Sequence, residues 1–208
     1  GVCGVLLAGG KSRRMGGGDK ALRELAGRPL LAHIVERTAP QVDRLVLNAN
    51  GDPARFADFD LPVAADVIEG FAGPLAGVLT GMTWAAENAP DCQWVATFAC
   101  DAPFFPADLV ARMRAAVADE GADMACAESR GRTHPVFGLW PVSLRSDLAR
   151  AMTDEGIRKV DAWTSRYRMA TVAYDDVTVG DTVLDPFFNT NHPADLAEAE
   201  RLLRAQQA

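Results

Sequence analysis

The sequence predicts an α/β fold of three layers, with a mostly parallel central sheet between two layers of helices. Short, continuously apolar runs recur along the chain, as strands covered on both faces require. Longer stretches of helical periodicity lie between them, so strand and helix alternate. Polar or glycine residues directly follow the first strands, at the end where open α/β sheets bind ligands. The 208 residues are read as one domain, 1–208. A domain of that size buries roughly 70% of its unfolded surface without help from a disulfide or metal.

Residues 2–8 (Val-Cys-Gly-Val-Leu-Leu-Ala) carry no charge and read as the first, buried strand. Leu30, Leu31, Ile34 and Val35 share one helical face just after Pro29, a residue suited to a helix start. Apolar runs at 45–47 and 63–65 predict two further strands. A helix follows over 75–89, with Pro90 beyond its end. Residues 94–99 predict a fourth strand, and 106–117 a helix that turns Leu109, Val110, Met113 and Val117 inward. Strands are expected at 124–127 and 136–140. The stretch from 153 to 190 has no clear period. The last helix is placed at 193–205, with Leu196, Glu200 and Leu203 on one line beside Ala199 and Leu202.

Charge narrows the function. The chain carries a formal −7, against the basic balance of a general nucleic-acid binder. No apolar run approaches the ~20 residues that span a bilayer, and the first residues lack a signal-peptide layout. A cytoplasmic protein with no nucleic-acid or membrane partner is expected. Cys3, Cys92, Cys100 and Cys126 read as reduced, buried thiols. The dispersed His33, His134 and His192 argue against a histidine-rich zinc site.

Residues 1–28 depart from this acidic background. They hold Lys11, Arg13, Arg14, Lys20, Arg23 and Arg28 against only Asp19 and Glu24, and seven of the 18 glycines fall before residue 21. The run from Leu7 to Lys20, L-A-G-G-K-S-R-R-M-G-G-G-D-K, combines bare backbone amides with cations. That combination suits a polyphosphate. It is neither a Walker loop nor the dinucleotide fingerprint, since its glycines and lysine are spaced differently. Gly9 and Gly10 follow the first strand, Asn48 the second, Asp66 the third and Asp101 the fourth. Asp101 is the candidate Mg²⁺ ligand, because that ion commonly takes one or two carboxylates plus phosphate oxygens and water. A helix-capping aspartate is the plain alternative; Asp66 is read as helping with the metal or the nucleotide, with a turn or cap aspartate as its alternative.

These residues resemble the molybdenum cofactor guanylyltransferases, the MobA-type members of the Rossmann-like nucleotidyltransferases. The signature L-A-G-G-x-S-x-R-M-G-x-x-D-K matches Leu7 to Lys20. Matches continue through Asn48-Ala49-Asn50, Asp66, Gly73-Pro74-Leu75-Ala76-Gly77, Cys100-Asp101-Ala102-Pro103 and His134-Pro135 to Gly156-Ile157-Arg158-Lys159-Val160 and Phe188-Asn189-Thr190-Asn191. The resemblance implies transfer of GMP from Mg-GTP to molybdopterin, with release of pyrophosphate. It places GTP on Leu7, Ala8, Gly9, Lys20, Asn48, Asp66 and Asp101, with Gly10 in the same loop, and Mg²⁺ on Asp101. Gly9 and Pro74 point to guanine over cytosine, because the cytidylyl relatives typically read L-A-A-G and lack the G-P-L-A-G loop.

Lys20, Arg14 and Asp101 are then the catalytic set, with Arg14 on the leaving pyrophosphate. His134, Arg158, Lys159, Asn189 and Asn191 are the expected acceptor contacts; structural roles, or for Arg158 and Lys159 solvated surface charge, are the alternatives. A monomer that passes its product to a molybdoenzyme or delivery protein is expected. A cytidylyltransferase or sugar-phosphate nucleotidyltransferase shares the first loop and Asp101, and so stays open, as does a GTP-binding module without activity.

Overall fold

The computed structural model describes residues 1–8, 19–70 and 73–207. In chain order its elements are β1 (Val2–Leu7), β2 (Glu24–Leu25), β3 (Arg28–Pro29), α1 (Leu30–Thr38), β4 (Arg44–Asn48), β5 (Val63–Ala64), α2 (Pro74–Asn88), β6 (Trp94–Ala99) and α3 (Leu109–Glu120). There follow β7 (Met124–Ser129), β8 (Arg132–Pro141), α4 (Arg145–Thr153), α5 (Val160–Thr164), β9 (Met169–Ala173), β10 (Val177–Val179), β11 (Thr182–Leu184) and α6 (Pro193–Gln207).

The main sheet has the order β5-β4-β1-β6-β8-β7-β9. β1 pairs in parallel with β4 and β6, β4 with β5, and β7 with β9; β8 runs antiparallel to β6 and β7. Both faces are covered, which explains the uninterrupted apolar strands. Val2 and Leu6 of β1 enter one core with Ile34 of α1 and Met113 of α3. Cys3 and Val5, pointing the other way, pack with Leu79 and Met82 of α2, Leu148 of α4 and Trp163 of α5. This is the three-layer, mostly parallel α/β architecture the alternation predicts. Burying Thr97 in β6 leaves no polar atom stranded, because its hydroxyl accepts the indole N–H of Trp140 at 3.0 Å.

Two features place the site. β1 has β4 on one side and β6 on the other, so the strand order reverses direction there and a crevice opens at the carboxyl ends. The single reversed strand β8 brings its first residues, from Arg132 on, to that same rim.

Some boundaries move. The helix expected over 106–117 begins at Leu109 and runs to Glu120, because the chain turns first and Asp108 takes the N-cap position. Its four predicted inward residues are all buried. The unreadable 153–190 stretch holds α5, the edge strand β9 and the hairpin β10–β11. That hairpin and α6 close a third core, in which Val179, Leu184, Ala199 and Leu202 cover Leu25, Leu30 and Phe104. All four cysteines are buried free thiols. Burial pushes Cys3 up to about 12, far from a reactive thiolate. No helix among the described residues is long and apolar enough to cross a membrane.

Candidate nucleotide site at the sheet rim

A cavity of about 960 Å³ occupies the crevice. Leu7 and Ala8 line it from the end of β1, Asn48 from β4, Asp66 from beyond β5 and Asp101 from beyond β6. The four strand ends singled out in the sequence therefore share one rim, and the residues named on β4, β5 and β6 line one cavity. Gly9, Gly10 and Arg14 lie outside the described residues.

Lys20 and Asp101 stand together on one wall of this space. Lys20 Nζ lies 4.0 Å from Asp101 Oδ2, and both side chains remain about a quarter exposed, at 26% each. Lys20 Nζ also donates to Asn191 Oδ1 at 2.9 Å. Burial raises the Asp101 carboxyl from its ordinary value, while Lys20 and a backbone hydrogen bond pull the other way. The Asp101 carbonyl accepts the Thr190 backbone N–H at 2.7 Å and its hydroxyl at 3.1 Å. The late Phe188–Asn191 motif is thus folded against both members of the pair. Asn191, expected on the acceptor side, stands with Lys20. The capping alternative for Asp101 does not describe its position, since Asp108 occupies the N-cap of α3.

The opposite wall is built from amides and a carboxylate. Asn48 Nδ2 donates to Asp66 Oδ1 at 2.9 Å, and Asn50 Nδ2 to Asp66 Oδ2 at 3.0 Å. Asn50 Oδ1 in return accepts the Asp66 backbone N–H at 2.8 Å. Asp66 is therefore clamped in place with neutral partners. On the same cavity, Gly73 adopts φ +119°, a conformation L side chains rarely take, and delivers Pro74 to the first turn of α2. Both residues line the cavity, so the positive end of the α2 dipole borders it. α2 also lies very close to the sheet. A Cβ at Gly77 would meet Leu7 Cδ2 at 2.4 Å and Asn48 Oδ1 at 2.8 Å.

The other predicted acceptor residues are spread out. His134 is half-buried on β8, its ring 4.7 Å from that of Phe187. Its Nε2 lies 2.7 Å from Ser129 Oγ, which donates to Asp185 Oδ1 at 2.7 Å. Burial lowers the His134 pKa, with Asp185 opposing. Contact order matters here: the hydroxyl sits between imidazole and carboxylate. The imidazole therefore does not link the carboxylate to the hydroxyl, as it does in a serine-nucleophile triad. Arg158 and Lys159 are exposed on the connection between α4 and α5, and Asn189 is exposed one residue before Thr190. None of these three lines the cavity.

Sequence reasoning did not assign a site role to Asn50, Arg55, Ser129, Thr190 or Asp185. Asn50 had a signal, since it lies two residues past Asn48 in a matched motif. Ser129 and Asp185 had none, because their contact joins positions 56 residues apart.

Among the described residues no cluster of three or more His, Cys, Asp or Glu side chains could hold a metal alone. Asp101 by itself, a hard carboxylate open to the cavity, fits a cation whose other ligands are phosphate oxygens and water.

The model of the MobA-like NTP transferase domain matches residues 4–170. A protein of Bradyrhizobium sp. (strain ORS 278) named molybdenum cofactor guanylyltransferase is 57% identical, covering 97% of this chain and 92% of that protein. One of the same name from Mesorhizobium japonicum is 50% identical over 98% and 97%. In fold, the chain is similar to the molybdopterin-guanine dinucleotide biosynthesis protein A of Archaeoglobus fulgidus, with TM-score 0.72 and 20% identity over 97% and 98% of the two chains. A Mycobacterium tuberculosis protein solved with manganese gives TM-score 0.64 at 20% identity, covering 98% of each. With a family model spanning most of its length and relatives at half identity or more over nearly the whole chain, this chain belongs to the MobA-like NTP transferases.

Proposed function

We propose that the rim cavity binds Mg-GTP and that the protein transfers GMP to molybdopterin, forming the guanine dinucleotide cofactor and pyrophosphate. One observation carries the reading: Lys20 and Asp101 converge at 4.0 Å over the β1/β6 crevice, with room for a nucleotide beside them.

An oxygen of the acceptor's phosphate attacks the α-phosphorus of GTP, and the bond from that phosphorus to the bridging oxygen breaks. Pyrophosphate leaves with the electron pair. The attacking oxygen is already ionised, so no protein nucleophile or general base is needed. The difficulty is to bring anions together, and the protein answers with position and charge. Lys20 neutralises charge on the α-phosphoryl oxygens. Asn191 holds that ammonium through a neutral oxygen, so its charge stays available. Asp101 holds the divalent ion, Mg²⁺ in this proposal. That ion supplies charge neutralisation and a template for the phosphates when bound. Arg14 and the amides of Gly9 and Gly10 take the leaving pyrophosphate. Leu7, Ala8, Asn48 and Asp66 hold the nucleoside. The acceptor enters past the first residues of β8, where His134 lies, and Arg158, Lys159 and Asn189, elsewhere on the surface, are its outer contacts in this proposal. The product then passes, in the cytoplasm, from a monomer to a molybdoenzyme or delivery protein.

The test is incubation with molybdopterin, Mg²⁺ and each of the four NTPs, scoring pyrophosphate and the nucleotide attached. GTP is expected to be used. Use of CTP alone would favour the cytidylyl reading. Asp101→Ala is expected to lower turnover by about 10²–10³.

A further inference from the structure

Arg55 belongs to no motif named above, yet it makes three directed hydrogen bonds beside the cavity-lining Asn50 and Gly51. It lies on a short 3₁₀ segment, Pro53–Phe59, that follows β4. Its Nε donates to Asp19 Oδ2 at 2.7 Å. Its two terminal nitrogens donate to the carbonyls of Asp52 and Asn50. The guanidinium lies 4.4 Å from the ring centroid of the buried Phe56. All three nitrogens of the fork are therefore engaged, and an aromatic face packs against the cation.

The partner gives this clamp its meaning. Asp19 immediately precedes Lys20, and Lys20 and Ala21 line the cavity. A carboxylate next to a phosphate-binding lysine is a liability. Unpaired, it competes for the ammonium or repels the triphosphate. Lys20 here makes no ion pair with its neighbour. It bonds the neutral Asn191 at 2.9 Å and stands 4.0 Å from Asp101. Asp19 is turned instead to Arg55, with both side chains only 26% exposed, so solvent screens the pair incompletely. We infer that Arg55 is a positioning residue for nucleotide binding: it sequesters the Asp19 carboxylate and so keeps the positive charge of Lys20 available to the triphosphate. A plain structural brace would hold the same atoms together without that electrostatic consequence.

The inference rests on the cavity being a triphosphate site, and charge suppression separates the two claims. GTP affinity with Mg²⁺ is measured by titration of the purified chain, alongside steady-state KM and kcat and a thermal unfolding midpoint. Arg55→Gln keeps a hydrogen-bonding side chain and removes the charge. It is expected to weaken GTP binding about tenfold, through KM, with kcat within about twofold, the scale of one uncompensated charge near the ligand at a partly screened site. Adding Asp19→Asn to Arg55→Gln is expected to bring affinity back to within about threefold of wild type, because the uncompensated carboxylate is gone. Arg55→Lys, which keeps the charge without the fork, is expected to hold most of the affinity, and it serves should Arg55→Gln fail to fold.

A brace would behave differently. The double variant would then bind GTP no better than Arg55→Gln, and Arg55→Lys would bind as poorly; either result overturns the inference. A wild-type chain that does not bind GTP overturns the triphosphate reading and this inference with it. A wild type that binds GTP while Arg55→Gln binds equally well overturns the inference alone.

Discussion

Lys20 stands between two oxygens of different charge, and the arrangement decides how much of its positive field reaches a ligand. The nearer oxygen is the neutral amide of Asn191 at 2.9 Å, and the anionic one, on Asp101, is 4.0 Å away. Asn191→Asp reverses that order by placing a carboxylate at hydrogen-bond distance. Turnover should fall about tenfold or more, whereas Asn191→Ala, which loses only the orientation, should fall less. Pyrophosphate release with GTP and molybdopterin distinguishes them, and equal losses would show that Asn191 acts by shape alone. Lys20→Ala should cost about 10²–10³ in the same assay. The rim residues of the described cavity were legible because each directly follows, or ends, an apolar run: Asn48 closes β4, Asp66 follows β5 and Asp101 follows β6. The residues that orient them were not. Arg55 reaches Asp19 across 36 positions and Asn191 reaches Lys20 across 171, and no local pattern encodes such distances.

α2 shows the same division at the level of an element. Its existence is plain in the apolar run and in Pro90 beyond its end, but its closeness to the sheet depends on two bare positions one turn apart. A Cβ at Gly77 meets Leu7 and Asn48, and one at Gly81 meets Val5 Cγ2 at 2.4 Å. Each Gly→Ala change should destabilise the fold by about 1–3 kcal/mol through overpacking. The two should part in function. Gly77→Ala displaces Asn48, which holds Asp66, and should raise the KM for GTP severalfold. Gly81→Ala presses on a core strand away from the cavity and should leave KM near wild type. Urea unfolding paired with GTP kinetics tests this, and identical KM values would disconnect α2 packing from the site. Elements with weak local signals were the hard ones. α5 has five residues, too few for a period, and β9 is an edge strand whose burial alternates while its residues, Met-Ala-Thr-Val-Ala, do not alternate apolar with polar. The start of α3 slipped to Leu109 because Pro106 marks a turn there rather than the first helical residue.

Across the whole molecule, the architecture followed from alternation, but its closure did not. The last third of the chain returns to the first through α6, which seals Leu25 and Leu30, and through Thr190 and Asn191, which reach Asp101 and Lys20. Stability of the opposite layer depends on a second long-range tie. Asp147 of α4 accepts the Tyr167 hydroxyl, the Trp163 indole N–H at 3.0 Å and an Arg150 N–H at 3.0 Å. The Tyr167 and Trp163 hydrogen bonds, with Arg150 adding to them, hold its carboxyl down at about 2. A folded-state pKa below the unfolded one stabilises the protein above the unfolded value, and that contribution is lost as pH falls through the folded value. Asp147→Asn keeps the shape and removes the charge. It should therefore be less stable than wild type at pH 6, and the gap should close progressively between about pH 4 and pH 2. Protonated Asp147 then resembles the amide. Urea unfolding of both proteins across that range measures the gap. A difference that stays constant down to pH 2 would mean the tie depends on geometry alone and not on the ionised carboxylate.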